Sequence, residues 1–334
     1  VTYALALVLL LLVLPWAGAA VARRLAEALP PWWACWSLTG ASVLLAGGTI
    51  SALVGLFHVP FLASLEHLPL RRVLEVWPTA VPFACAAGLA MFVQLVLLVR
   101  RWLKHRSLLK RAWLVVEEGT GDGDLLVVPG ADVDAFALPA YRGHRGRVVV
   151  TSGMMRALKA GEREVLLAHE RAHLAGRHHL LSAVVDLAAV VHPAVRSLRE
   201  ALTFHLERWA DEAAAAVVGD RRTAAVAIAR AALAGSSRGR AEGYPLLSVT
   251  SGPVPRRVKA LLLPEPAAPQ GCVRWVGAMG MAVVVAAVAL GSLALAYGLH
   301  EYVEHAARQL LGEPSGCSGV WGVVETLFGS GARR

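Results

Sequence analysis

Charge is scarce in this chain. Only 17% of its 334 residues are Asp, Glu, Lys or Arg, against 56% hydrophobic. Water-soluble domains carry about 25% charged residues, so the composition excludes an ordinary soluble enzyme. The scarcity is also uneven. Four windows hold no charged side chain for long enough to span a bilayer, which takes about 20 residues: 1–22, about 36–58, about 79–99 and 275–300. Cysteine is sparse too. Cys35, Cys85, Cys272 and Cys317 are scattered with no CxxC pair, which excludes a disulfide framework and a cysteine-based zinc site. No internal repeat is visible. Basic residues preceding the first apolar run are missing as well, and a cleaved signal peptide usually has them. The AGAAVA stretch resembles a cleavage site, but the expectation is an uncleaved first helix.

The net charge is +9. Such a balance can signal nucleic acid, yet the basic residues gather beside the apolar windows, where they hold topology. No direct binding of nucleic acid is expected. Arg100, Arg101, Lys104, Arg106, Lys110 and Arg111 follow the third window, and Arg256, Arg257, Lys259 and Arg274 precede the fourth. By the positive-inside rule both flanks are cytoplasmic. The sequence thus predicts a multi-pass protein of the plasma membrane with both termini extracytoplasmic. Its domains are three spans in 1–100, a cytoplasmic domain at 101–273, a fourth span at 274–300 and a short outer tail at 301–334. Trp32, Trp33, Trp36, Trp102 and Trp275 fall near the expected interfaces.

Within the hydrophilic block, residues 125–153 read as short strands broken by Gly and Pro turns. A helix is expected over 151–160, capped by Thr151 or Ser152. An amphipathic helix follows over 162–175. The apolar stretch 180–191 is too short to span comfortably and reads as a core or interfacial helix, ended by His192-Pro193. Helices are expected over 194–218 and 220–234, and PEPAAPQG (264–271) reads as a linker.

One motif carries chemistry. His169-Glu170-Arg171-Ala172-His173 is an H-E-x-x-H sequence on a predicted helix. Residues four apart share a helical face, so His169 and His173 can present two imidazoles to one metal ion. Glu170, offset by about 100° around the axis, can reach a metal-activated water as general base. Arg171 should project away from the histidine face. The third ligand has two candidates. Gly176 and His179 complete the longer H-E-x-x-H-x-x-G-x-x-H pattern, but that pattern needs a downstream methionine turn. After Met155 the next methionine is Met279, inside the fourth window. Glu207, in HLERWADE, is the better candidate and would complete a His, His, Glu site with an open fourth position. Asp211, four residues on, could fix the tautomer of a ligand imidazole. Glu200, His205 and Glu212 are the remaining alternatives. A purely structural reading makes Glu207 and Asp211 surface charges paired with Arg208 or Arg230.

The segment HERAHLAGRHHLLSAVVDLAAVVHPAVRSLREALTFHLERWADEAA (169–214), with AFALPAYRGHRGRVVVTSGMMRAL upstream, resembles the BlaR/MecR-type membrane metallopeptidases. It also looks like the related HtpX-type and CAAX-prenyl-protease-type enzymes. The resemblance implies an integral membrane, mainly α-helical protein with four transmembrane helices and a cytoplasmic α+β gluzincin-type zincin domain with a small β-sheet. It implies one zinc ion per chain on His169, His173 and Glu207, with Glu170 as catalytic base and Asp211 behind the ligands. It further implies a protein or peptide substrate, the family's usual target being a small winged-helix repressor. The extracellular penicillin-binding sensor of the best-known members is not expected, since no S-x-x-K pattern follows the fourth window. Two other readings stay open: membrane-protein quality control of the HtpX type, and a non-catalytic zinc-containing sensor or scaffold. RGRVVV (145–150) could pair with an extended substrate or be a core strand. His144 and Tyr141 could approach the site. Asp186, alone in an apolar helix, needs a partner within the domain.

Overall fold

The computed structural model describes residues 2–65, 70–116, 123–236 and 253–264, with isolated positions between 280 and 301. Two long apolar helices dominate the first part: α2 (Pro31–Leu65) and α4 (Ala80–Val116). Both are long and apolar enough to cross a membrane, over Pro31–His58 and Ala80–Leu114. The preceding helix α1 (Thr2–Ala26) covers the first window. It packs on α2 through Ala19, Ala22 and Ala26, small residues at helical spacing that let the two backbones approach. A short helix, α3 (Leu70–Val76), joins α2 to α4. Most of the fourth window lies outside the described residues, as do Trp275 and the 264–271 linker apart from Pro264.

The third span does not stop where its charges begin. α4 runs 37 residues without a break, about 55 Å at 1.5 Å per residue. The basic run 100–111 is therefore the continuation of the same helix. Its end enters the sheet. Trp113 donates from Nε1 to the Pro139 carbonyl at 3.0 Å and packs with Phe136, Leu138 and Val149.

The sheet has three strands: β1 (Leu125–Val128), β2 (Ala135–Leu138) and β3 (Arg147–Thr151). Their order is β1-β3-β2, with β1 parallel and β2 antiparallel to β3. β3 is thus the middle strand. Its backbone is paired on both sides, so RGRVVV cannot add a substrate strand, and the edge positions belong to β1 and β2. Thr151 closes β3 and caps α5 (Ser152–Ala157), accepting from the Met154 amide at 3.2 Å and donating to the Asp132 carbonyl at 2.6 Å.

Further helices among the described residues are α6 (Ala160–Ala175), α7 (His178–Val191), α8 (Arg196–Val218), α9 (Arg221–Ser236) and α10 (Val254–Leu262). α6 and α7 meet at a 56° bend, and by length and apolarity the bent pair could also pass as one broken span. α7 ends at His192, whose ring Nδ1 accepts from the Ala194 amide and starts a 3-10 turn, Pro193–Val195. α8 has two faces. Leu198, Leu202 and Leu206, four residues apart, sink into the apolar cluster formed with α1 and α2. Burial of each contributes about 2 kcal/mol. Ala214 and Ala215 join Val165 and Ala168 of α6 in a second cluster. Small side chains here bring α6 and α8 close, and the buried acidic groups of α8 lie on that side. Asp186 of α7 finds three partners: Arg101 at 3.2 Å and His105 at 3.3 Å from α4, and Arg199 at 2.5 Å from α8. This buried carboxylate ties the spans to the helix that carries the site.

The start of α5 tolerates no side chain. A Cβ on Gly153 would stand 2.2 Å from the Asp132 carbonyl oxygen and 2.5 Å from that of Ala131. Gly153→Ala should therefore cost about 1–3 kcal/mol through overpacking. A thermal-inactivation midpoint in detergent equal to that of wild type would contradict this packing.

Candidate metal centre

α6 and α8 bring three donor residues together. His169 Nε2 and His173 Nε2 lie 3.1 Å apart. Glu207 Oε2 is 3.6 Å from the first and Oε1 is 3.6 Å from the second. This triangle of residues fits a single cation: two zinc–nitrogen bonds of about 2.0–2.1 Å at a tetrahedral angle place the nitrogens about 3.3 Å apart. Among the described residues, this is the group whose donor atoms could hold a metal ion. His169 and Glu207 are buried and His173 half-buried. Two imidazole nitrogens facing each other at 3.1 Å are poor neighbours unless a proton or a cation sits between them.

Each ligand candidate is held from behind. His169 Nδ1 lies 3.0 Å from Asp211 Oδ1. That carboxylate favours a proton on Nδ1 and leaves Nε2 turned to the triangle. Burial alone would lower the His169 pKa, but Asp211 and Glu207 overcome it and push it up to about 10. His173 moves the other way, down to about 3, through burial. Its Nδ1 is 2.7 Å from Nδ1 of His178, whose ring packs against Trp209 with centroids 4.6 Å apart.

The Gly176 of the longer motif has a different use from the one its spacing suggests. Its own backbone is right-handed, with φ −76°, and the left-handed residue that turns the chain is Arg177, φ 49°. Gly176 is small because a Cβ there would stand 2.4 Å from Nε2 of His178. His179 is not among the converging donors. The histidine that matters next to the motif is His178, which backs His173 and reaches the site through it. Sequence spacing offered no signal to choose between the two.

Glu170 is 1% exposed, and its Oε1 has no hydrogen-bond partner. Burial raises its pKa to about 8; His169 opposes the shift, while Glu207 and Asp134 add to it. Arg171 does project away, pairing with Asp124 at 2.6 Å on the surface. The remaining alternatives lie elsewhere. Glu212 pairs with Arg221, Glu200 is exposed, and His205 is buried outside the cluster. Arg230, a candidate partner for Glu207 or Asp211, instead pairs with Glu162. His144 is exposed and stacks on Trp113 with centroids 4.9 Å apart, and Tyr141 bridges to it through the backbone.

The largest surprise is Arg257 of α10, which reads in the sequence as a flank of the fourth span. It is fully buried. Nη1 lies 2.7 Å from Glu207 Oε2, and Nη2 and Nε reach Asp211 Oδ1 and Oδ2 at 2.6 and 2.8 Å. One guanidinium thus spans both acidic residues of HLERWADE. It accounts for two carboxylates lying side by side in the interior, and it helps to hold Asp211 down at about 2 despite burial.

Residues 121–239 match the model of peptidase family M48. Peptidases of that family are zinc-dependent. The match spans the sheet, α6, α8 and all three candidate ligands, covers less than half of the chain, and ends before Arg257. No curated protein and no solved structure matches the chain.

Two outcomes test this arrangement. His178→Ala should weaken cation affinity by about 10–100-fold, as loss of a group that orients a ligand does, and Gly176→Ala should act in the same direction by displacing the ring. Competition with a chelator on purified protein reads both. Arg257→Ala should destabilise the fold by about 3–5 kcal/mol, since it leaves two buried carboxylates uncompensated. Arg257→Lys should recover only part of the loss, because an ammonium cannot bridge both groups.

Proposed function

We propose that the protein is an integral-membrane zinc endopeptidase. The reading rests on one observation above all: His169, His173 and Glu207 converge from two helices, with the buried carboxylate of Glu170 one residue along from the first ligand. A divalent cation held there supplies Lewis acidity, which acidifies water and polarises a peptide carbonyl. His, His and Glu as a donor set suit zinc. Glu170 takes the proton of the attacking water and returns it to the leaving amine. A group with a pKa raised toward neutrality suits both transfers. Asp211 and His178 hold the two imidazoles by Nδ1, which leaves both Nε2 atoms free to hold the cation.

The basic flanks of the spans support a cytoplasmic site and a plasma-membrane location. The resemblance to BlaR/MecR-type enzymes supports a regulatory role, in which a cytoplasmic protein such as a winged-helix repressor is cut. One observation favours the second reading, turnover of membrane proteins. α8 packs directly against α1 and α2, so Glu207 lies on a helix that touches the spans. The position of the scissile bond separates the two: within a soluble repressor for the first, next to a transmembrane segment for the second.

Metal content and proteolysis of the purified protein in detergent test the assignment. Glu207→Ala should lose the metal, and His179→Ala should keep it. Glu170→Gln should keep the metal and lose cleavage by at least the factor of about 10²–10⁴ that general acid–base catalysis supplies. Metal loss in His179→Ala would overturn the ligand set. Undiminished cleavage by Glu170→Gln would overturn the mechanism.

A further inference from the structure

Away from the metal centre, the structure holds a cavity of about 1050 Å³ between α4, α7 and α8. Arg100, Arg101 and Lys104 of α4 line it on one side, and Arg196 and Arg199 of α8 on the other. Five cations thus face two carboxylates, Asp186 and Glu200. The sequence explains only the first three as a topology flank. Arg196 and Arg199 lie beyond α7 and are brought to the same cavity by the 3-10 turn at Pro193–Val195. A charge flank by itself requires neither this convergence nor a cavity.

The pairing is incomplete in an informative way. Asp186 engages Arg101, Arg199 and His105 and so fixes the wall. Arg100, Lys104 and Arg196 make no ion pair among the described residues. The cavity also has an apolar side, formed by Leu97 of α4 with Ala189 and Val190 of α7. Its height is defined by α4. Leu89, Phe92, Leu95, Val96 and Val99 are exposed apolar residues, and Arg100 follows at once. Trp102, 47% exposed, carries Arg106 over its ring. The cavity therefore opens where a bilayer's hydrocarbon gives way to headgroups.

We propose that this cavity binds the phosphate headgroup of an anionic phospholipid, with Arg100, Lys104 and Arg196 as the cations that meet it and Leu97 beside the start of its acyl chains. A soluble phosphate compound shares the charge chemistry, but it does not account for the apolar wall or for the level of the opening.

The full-length protein in a neutral detergent is titrated with phosphatidylglycerol or with phosphatidylcholine, and bound lipid is read by native mass spectrometry. Wild type should retain phosphatidylglycerol in preference. The double variant Lys104→Gln/Arg196→Gln should retain about 30-fold less, the order expected for losing two cations near a headgroup. Lys110→Gln/Arg111→Gln, two basic residues of the same helix outside the cavity, should retain as much as wild type. Should the first double variant fail to fold, Lys104→Gln alone, at an exposed position, should lower retention in the same direction. Equal retention of the two lipids overturns the proposal. So does an equal loss in the control pair, which would reduce the basic residues to a general anchor. Displacement of the lipid by inorganic phosphate or glycerol 3-phosphate at matching concentration would overturn the lipid and point to a soluble ligand. Bound metal, measured in each variant, reports that the remainder of the fold is intact.

Discussion

The interior of this protein depends on a single guanidinium. Glu207 and Asp211 stand one helical turn apart in a buried position, where two carboxylates would repel each other and resist desolvation. Arg257 lies across both. With it in place, Glu207 can face the two histidines and Asp211 can face the back of His169. The planar fork matters as much as the charge, because it meets oxygens on two residues at once. α10 is short, nine residues, and its amphipathic face sits on α9 and α8. A helix that looks peripheral in the chain is a structural part of the centre.

The legible part of the site was the part written along single helices. H-E-x-x-H and Glu207-x-x-x-Asp211 are i, i+4 relations, and helical periodicity predicts that each pair shares a face. Their convergence needed only α6 and α8 to pack, for which alanines at 168, 214 and 215 are suited. The relations that could not be read are those made between elements. Arg257 is one, since nothing local distinguishes it from Arg256 beside it, whose guanidinium lies over the Phe204 ring. His178 is another. Adjacent histidines on a new helix differ by about 100° in direction, and only the angle between α6 and α7 decides which meets His173. Gly176 shows the same limit in reverse, because the pattern suggested a turn and the structure uses it as room for a ring.

The membrane part was legible as composition and less so as boundaries. Charge-free windows located the helices α1, α2 and α4, of which α2 and α4 are long and apolar enough to cross a membrane. They could not show that α4 continues, since a basic helix and a basic loop have similar composition. Asp186 was recognised as needing a partner, and its partners proved to lie on α4 and α8, far apart in sequence. A lone acid in an apolar helix announces that an interaction exists without saying where.

The continuity of α4 has a mechanical meaning. From Arg100 to Trp113 the helix projects about 20 Å past its apolar part, and Trp113 is wedged into the sheet. Treated as a stiff rod, a tilt of about 10° where it leaves the hydrocarbon would carry that tryptophan sideways by about 3 Å. Asp186 ties the same rod to α7 and α8 near the start of this stretch, at Arg101 and His105. The direction of α4 and the placing of the sheet beside the histidines are therefore not independent coordinates.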